Sequence, residues 1–152
     1  MWRNAHERYL EERVLSADPV ELVHIMYDAA IGAVRDARRH LEDKDIIARS
    51  QSISKACNIL AELNTALDFE HGGEFSARLS QLYGYMYRRL VEANLKQSDE
   101  PLAEVARLLG TLLDGWAAVR AGLPHENAAE TTWIPTPFGE PELASASVGW
   151  SL

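Results

Sequence analysis

The sequence contains a single cysteine, Cys57, and no long run of apolar residues. One cysteine cannot form a disulfide within the chain, so a disulfide-stabilised fold is excluded and a reducing compartment fits. No apolar stretch approaches the ~18 residues that indicate a membrane-spanning helix, and the first residues carry charges in place of the apolar core of a secretion signal. These absences predict a cytoplasmic protein, located in the cytosol, with no membrane insertion.

Positive charge is also scarce. The chain has 15 Lys and Arg against 23 Asp and Glu, which gives a formal net charge of −8 over 152 residues. Nucleic acids and anionic membranes bind proteins through clusters of Lys and Arg. The charge therefore argues against a nucleic acid partner and favours another protein as partner. This length predicts a single domain with a substantial core.

The sequence contains no nucleophile elbow, phosphate-binding loop or dinucleotide fingerprint. Glu21 and His24 form one Glu-x-x-His, the unit of di-iron sites in helical bundles, but such a site needs a second copy and glutamates from other helices. His24 and His40 lack the lysine and glycine setting of a histidine phosphotransfer domain. Cys57 has no cationic neighbour in sequence that would activate its thiol. We therefore expect no catalysis, no metal site and no cofactor.

The strongest helix signal covers residues 19–42. Asp18 is placed as its N-cap, Pro19 as its first residue and Glu21 as the closing residue of a capping box. At about 100° per residue, the apolar side chains of this helix cover an arc of roughly 240°, whereas a corner helix of a bundle needs little more than about 100°. The excess predicts that one apolar face packs in the bundle and another is kept for a partner.

Periodic apolar residues predict three further helices, over about 46–69, 74–95 and 101–121. Asp45 is placed as an N-cap, residues 70–73 with their two glycines are expected to end the second helix, and Gly122 and Pro124 the last. The apolar seam of the helix predicted over 46–69 consists of Ile53, Ala56, Leu60, Leu63 and Leu67. The seam of the helix over 74–95 consists of Phe75, Leu79, Leu82, Met86, Leu90 and Ala93. The seam of the helix over 101–121 consists of Leu102, Val105, Leu109, Leu112, Trp116 and Val119.

Four helices with short connections predict an all-α fold, an antiparallel up-and-down four-helix bundle over residues 19–122. Residues 1–18 are predicted to form a short N-terminal lead. Residues 123–152 contain no Lys or Arg, four Glu and four of the six prolines, which is typical of an irregular, disordered tail. Against plain disorder stand the large apolar side chains of Trp133, Ile134, Phe138 and Trp150, so docking of the tail on exposed apolar helix surface stays open.

Some apolar residues exceed what four helix seams can hide from water. Each could be buried core or a harmless lone exposure. Taken together they predict apolar grooves between helices, which accept the amphipathic helices of a partner. The predicted partner-binding residues are Met26, Tyr27, Ile31, Ile59, Leu63, Ala66, Tyr83, Tyr87 and Val91.

Several motifs together resemble the FliS family of flagellar secretion chaperones. The first runs from Tyr9 through Val14-Leu-Ser-Ala-x-Pro19-x-Glu-Leu-Val-x-x-Met26-Tyr-Asp-x-Ala30. It continues in Lys55-Ala and in Ile59-Leu-Ala-Glu-Leu-Asn-Thr-Ala-Leu-Asp68. The likeness is sharpest in Gly72-Gly-Glu, Leu82-Tyr-Gly-Tyr-Met86 and Arg89-Leu-Val-Glu-Ala-Asn94, with Trp116 late in the last helix. The resemblance covers residues 9–119 and keeps its spacing across every loop.

The resemblance implies a cytosolic, non-enzymatic export chaperone that binds the disordered C-terminal segment of flagellin, one to one. Such a chaperone prevents premature polymerisation and keeps the subunit ready for flagellar type III secretion. Components of the export gate or a co-chaperone are further partners that it allows. The rival interpretation is a helical-bundle adaptor or regulator that binds another flagellar protein.

Residue roles follow from the resemblance at matching positions only. Tyr9, Leu10, Val14 and Leu15 match the N-terminal lead, which covers part of the groove in the unbound chaperone. Asn64, Asp68 and Asn94 match family positions, and we expect them to make loop and cap hydrogen bonds first and partner contacts second. Trp2 and the tail with Trp133, Phe138 and Trp150 inherit no role.

Overall fold

Four helices account for residues 19–120 of the computed structural model: α1, Pro19–Glu42; α2, Ile46–Thr65; α3, Phe69–Lys96; and α4, Asp99–Arg120. The structure describes residues 5, 7–9, 11 and 19–120, with backbone alone at 19 and 120, and the described residues of the lead are also helical. No strand occurs among these residues. The all-α prediction is therefore confirmed for the described part of the chain.

Each helix packs against its neighbours in sequence, and α1 also packs against α4. Polar contacts join helix ends that are distant in sequence. Arg38, near the end of α1, donates to the Asp99 carboxylate at the start of α4, at 2.8 and 2.9 Å. Arg49, near the start of α2, donates from Nε to Asn94 Oδ1, near the end of α3, at 3.0 Å. No described helix is long and apolar enough to cross a bilayer.

The first turn between helices follows the sequence prediction. Asp45 is the N-cap of α2, since its carboxylate accepts a hydrogen bond from the backbone N–H of Ala48 at 3.1 Å. Lys44 takes a positive φ of 59° to make the turn. The predicted N-cap of α1, Asp18, lies outside the described residues.

The corner between α2 and α3 differs from the prediction. α2 ends at Thr65, four residues before its predicted end, and Phe69 begins α3. The cause is Asp68, whose Oδ1 accepts hydrogen bonds from the backbone N–H groups of Glu70 and His71 at 3.0 Å each. The first N–H groups of a helix have no partner within the helix, so an acceptor at this position favours the start of a new helix. Hydrogen bonds to these groups lower the pKa of the Asp68 carboxyl.

Gly73 therefore kinks a helix and does not end one. Its φ of 52° and ψ of −126° lie inside α3, a conformation open to glycine and strained for other residues. Phe75, which we predicted in the apolar seam, lies two residues after this kink and is exposed. α4 likewise begins two residues earlier than predicted, at Asp99, because Pro101 fits the first turn, where its missing N–H needs no partner.

The core consists of the predicted seams together with much of α1. Met86, Leu90, Leu102, Val105 and Leu109 are fully buried. Leu82 and Leu112 are partly buried against this core. α1 contributes seven buried side chains: Val23, Tyr27, Ala30, Ile31, Ala33, Val34 and Ala37. The wide apolar arc of α1 is thus explained within the bundle, because this helix packs against both α2 and α4.

Candidate partner-binding surface

Two tyrosines that we predicted to contact a partner lie in the centre of the bundle. The Oη atoms of Tyr27 on α1 and Tyr83 on α3 are 2.5 Å apart, and Trp116 Nε1 on α4 donates to Tyr27 Oη at 3.1 Å. The two phenol rings pack at 6.5 Å between centroids with planes tilted by 52°. Burial raises the pKa of both phenols, so both are neutral at physiological pH.

Ile31 and Leu63, two other predicted partner residues, are also buried in the core. The expectation that Tyr27, Ile31, Leu63 and Tyr83 line the surface of the free protein is therefore wrong. The sequence shows that a helix has two apolar faces. It does not show how many other helices pack against that helix. These four residues support the surface from beneath.

The other predicted residues are accessible. Met26 of α1 and Ile59 of α2 are half-buried against the core, and Ala66, the C-cap of α2, is exposed. Tyr87 and Val91 of α3 are exposed, as predicted from their position on the shoulder of the seam. Ile59 also contributes to a shallow depression of about 480 Å³ on the outer side of α2.

The exposed apolar residues that the sequence reasoning missed include Leu95, Ile46, Ile47 and Phe69, with exposed fractions of 78%, 56%, 73% and 53%. Leu95 continues the row of Tyr87 and Val91 at a spacing of four residues, which places the three side chains along one side of α3. That spacing was visible in the sequence. Ile46 and Ile47 lie at the very start of α2, where the position of a helix end decides whether a side chain is covered.

Hydrogen bonds join the start of α2 to the end of α3, the two segments that carry Ile46, Ile47 and Leu95. Asn94 Oδ1 accepts from Arg49 Nε and from Ser50 Oγ, at 3.0 and 3.2 Å. Val91 and Leu95 flank Asn94 on α3, and Ile46 and Ile47 lie one turn before Ser50 on α2. We call the five exposed side chains Ile46, Ile47, Tyr87, Val91 and Leu95 the α2–α3 strip.

Of the three family-position polar residues, only Asp68 is a cap. Asn94 joins two helices, so its expected role as a loop or cap residue is wrong. Asn64 Oδ1 is buried without a hydrogen-bond partner among the residues that the structure describes. Asn94 stabilises the helix pair that carries the strip.

The opposite side of α3 is charged. Arg89 donates to Glu104 of α4 at 2.6 Å and to Glu92 and Glu100 at 3.0 and 3.4 Å. Tyr85 Oη donates to the Glu104 carboxylate at 2.9 Å. Hydrogen bonds from Arg89 and Tyr85 lower the pKa of Glu104. These ion pairs make the α3–α4 face polar, which disfavours the binding of an apolar ligand there.

The candidate chemical residues His24 and Cys57 lie on different helices, α1 and α2. Among the described residues, no group of three His, Cys, Asp or Glu could hold a metal ion. His24 Nε2 lies 3.8 Å from the Asp28 carboxylate, one turn along α1. Cys57 is buried, and burial raises the pKa of its thiol to about 11, which leaves it protonated. The inert thiol matches the sequence prediction.

The predicted N-terminal cap is described at one residue. Tyr9 is exposed. Leu10, Val14 and Leu15 lie outside the described residues, as do Trp2 and the whole predicted tail, 123–152.

Comparison with known proteins gives a consistent set of relatives. A family model described as Flagellar protein FliS matches residues 2–122. The flagellar secretion chaperone FliS of Salmonella typhimurium is 40% identical over 111 residues, which cover 72% of this chain and 82% of that protein. The flagellar secretion chaperone FliS of Bacillus subtilis is 35% identical over 114 residues, 75% of this chain and 84% of that protein. The flagellar secretion chaperone FliSB of Pseudomonas aeruginosa is 36% identical over 110 residues, which cover 72% of this chain and 87% of that protein.

Proposed function

The chain belongs to the FliS family of flagellar secretion chaperones, and we propose that it is a cytosolic, non-enzymatic export chaperone for flagellin. It binds the disordered C-terminal segment of flagellin, one chaperone to one subunit. Binding prevents premature polymerisation and delivers the subunit to flagellar type III secretion.

The observation that carries this proposal is the α2–α3 strip. Five large apolar side chains are exposed on a bundle whose core is well filled, so they are not needed to stabilise the fold. Contiguous exposed apolar patches mark interaction sites, and rows of apolar residues between helices accept an amphipathic helix. Tyr87, Val91 and Leu95, spaced by four residues, match the repeat of such a partner helix.

The groove geometry requires the four helices to form an antiparallel up-and-down bundle. Helices joined by two or three residues have to reverse direction. Three contacts support this order: Arg38 with Asp99, Arg49 with Asn94, and Arg89 with Glu100. Each pairs a residue near the end of one helix with a residue near the start of another.

A disordered partner needs more than one contact area, because its ordering costs about 2–5 kcal/mol or more. Met26, Ile59 and Ala66 offer a second apolar area on α1 and α2. α3 has 28 residues, and at 1.5 Å per residue it is about 42 Å long, enough to seat several turns of partner helix. Tyr9, Leu10, Val14 and Leu15 are proposed to cover part of this surface until flagellin arrives.

Calorimetric titration of the full-length protein with a flagellin C-terminal peptide tests the proposal. We expect one-to-one binding with a gain of helical circular dichroism. Val91→Glu should weaken binding by at least about tenfold, since it places a charge where about 1.4 kcal/mol or more of apolar burial is expected.

Gln81→Glu is the matched control, because Gln81 is exposed on the same helix outside the strip. It adds the same charge and should leave the affinity unchanged. Absence of binding at micromolar peptide would contradict the proposed function. Equal weakening by both variants would exclude the strip as the site.

A further inference from the structure

The bundle has an uneven distribution of charge that singles out the α2–α3 face. α2 and α3 together contain six basic and four acidic residues; the basic residues are Arg49, Lys55, Arg78, Arg88, Arg89 and Lys96, and the acidic residues are Glu62, Glu70, Glu74 and Glu92. α1 and α4 instead carry more acidic than basic residues. In a chain of net charge −8, α2 and α3 are the described helices with a positive balance of charge, and this balance favours an acidic ligand on them.

Arg88 brings a free positive charge to the strip. Among the described residues it makes no ion pair, and its guanidinium Nη1 lies 3.4 Å from the position of a Cβ atom added at Gly84. Gly84 is one turn before Tyr87 and two turns before Val91, on the same side of α3. Glu92, the acidic residue next to Val91 in sequence, is paired with Arg89 and Lys96.

The C-terminal tail has the complementary composition. Residues 123–152 contain four glutamates, no Lys or Arg, and the large apolar side chains of Trp133, Ile134, Phe138 and Trp150. Pro135 and Pro137 oppose helix formation and favour an extended segment, a conformation that apolar grooves bind at low entropic cost. The family match ends at residue 122, so this segment is additional to the part shared with the relatives.

The tail is long enough to reach the strip. Trp116 donates to Tyr27, which contacts Tyr83. The last turns of α4 therefore lie near Tyr83, one turn before Tyr87 of the strip. From Arg120 to Trp133 an extended chain of 13 residues spans up to about 45 Å. Crossing two helices of about 10–12 Å diameter needs roughly half of that length.

We infer that residues 123–152 dock on the α2–α3 strip of their own chain, with Trp133, Ile134 or Phe138 on the apolar side chains and glutamates near Arg88. The tail then covers the strip until a partner displaces it. Its action as a competitor of flagellin rests on the proposed function, whereas the docking does not.

The docking can be measured without flagellin, by methyl NMR on the full chain. We compare the native chain with the variant Trp133→Ser, Phe138→Ser, Trp150→Ser. The methyl resonances of Val91 and Leu95 should shift, because aromatic rings leave their surroundings, while those of Leu108 and Leu113 on α4 stay in place. Arg88→Glu should produce part of the same shift at Val91, and Gln81→Glu should not.

Unchanged Val91 and Leu95 resonances would overturn the docking. A shift that disappears on dilution would also overturn it, because the tail would then bind a second copy.

In the titration with flagellin peptide, the tail variant should bind about tenfold more tightly if the tail covers the strip nine-tenths of the time. Equal affinity would overturn the competition. If neither protein binds the peptide, the proposed function fails, and the methyl shifts still decide the docking.

Discussion

The hydroxyl oxygens of Tyr27 and Tyr83 lie 2.5 Å apart in the core and join α1 to α3, while Trp116 of α4 donates to the same Tyr27 oxygen. One buried phenol thus connects three of the four helices. The two phenols place hydroxyl groups among the apolar side chains of the core, and their hydrogen bonds link these helices side chain to side chain.

Tyr27→Phe should therefore destabilise the fold by about 1–3 kcal/mol, because it leaves the Trp116 N–H and the Tyr83 hydroxyl without their shared partner. Tyr87→Phe removes a hydroxyl from an exposed ring and should change the stability by no more than about 0.5 kcal/mol. Urea unfolding followed by circular dichroism measures both. A Tyr27→Phe protein as stable as the native chain would show that the network does not contribute to stability.

The same pair predicts a loss of stability at alkaline pH. The pKa of each phenol is raised in the folded state, so the folded protein holds these protons more tightly than the unfolded chain does. The resulting stability is fully present below the unfolded value of about 10 and is lost as the pH rises above it. The urea midpoint should therefore fall as the pH is raised from about 10 to about 12.

The double variant Tyr27→Phe, Tyr83→Phe is the control for this prediction. It keeps Cys57, whose raised pKa has an effect of the same sign, so the difference between the two proteins isolates the tyrosines. The double variant should lose less stability over this pH range. Parallel losses in both proteins would assign the effect to other groups.

The corner between α2 and α3 depends on one carboxylate. Asp68→Ala should destabilise the protein by about 1 kcal/mol, because two backbone N–H groups lose their acceptor, and Asp68→Asn should retain most of the stability. Asp114→Ala, at an exposed position in the body of α4, is the matched control. Hydrogen exchange at the amides of Glu70 and His71 should accelerate in the alanine variant alone.

Ile31 and Ile47 allow a core position to be compared with a surface position for the same residue type. Ile31 is 6% exposed and Ile47 is 73% exposed. Ile31→Glu should destabilise the bundle by about 4 kcal/mol or more, since it buries a charge, whereas Ile47→Glu should stay within about 0.5 kcal/mol. Thermal melting compares them directly. On the proposed function, Ile47→Glu is expected to weaken flagellin binding while the protein stays folded.

Cys57 should be nearly unreactive in the native protein. Burial raises the pKa of its thiol from 9.0 to about 11, which lowers the thiolate fraction near neutral pH by about a hundredfold. The rate of labelling by a thiol reagent, with and without denaturing urea, measures this. Equal rates in both conditions would mean that the thiol is accessible.

The sequence was sufficient for the helices and for most of the core, because long stretches with one apolar period leave few alternatives. α1 begins and ends as predicted, and the seams of α2 and α4 are buried along most of their length. The α2–α3 corner was wrong because two local signals compete there, a pair of glycines that favours a helix end and an aspartate that favours a helix start.

Core and surface among the candidate site residues were harder to separate. Tyr83 and Tyr87 are one turn apart on the same helix, yet one is buried and the other exposed. Their sequence surroundings are nearly equivalent, and only the rotation of α3 against α1 and α4 distinguishes them. That rotation is set by contacts between distant residues, such as Tyr27 with Tyr83, which no local pattern contains.

The packing of α1 against α4 has a consequence for how the protein folds. The hydrogen bond between Trp116 and Tyr27 joins residues 89 positions apart, compared with 56 positions for Tyr27 and Tyr83. Contacts between distant residues form late, because closing a long loop loses more chain entropy. During synthesis, α1 can pair with α2 early, but its second apolar face stays uncovered until α4 has left the ribosome.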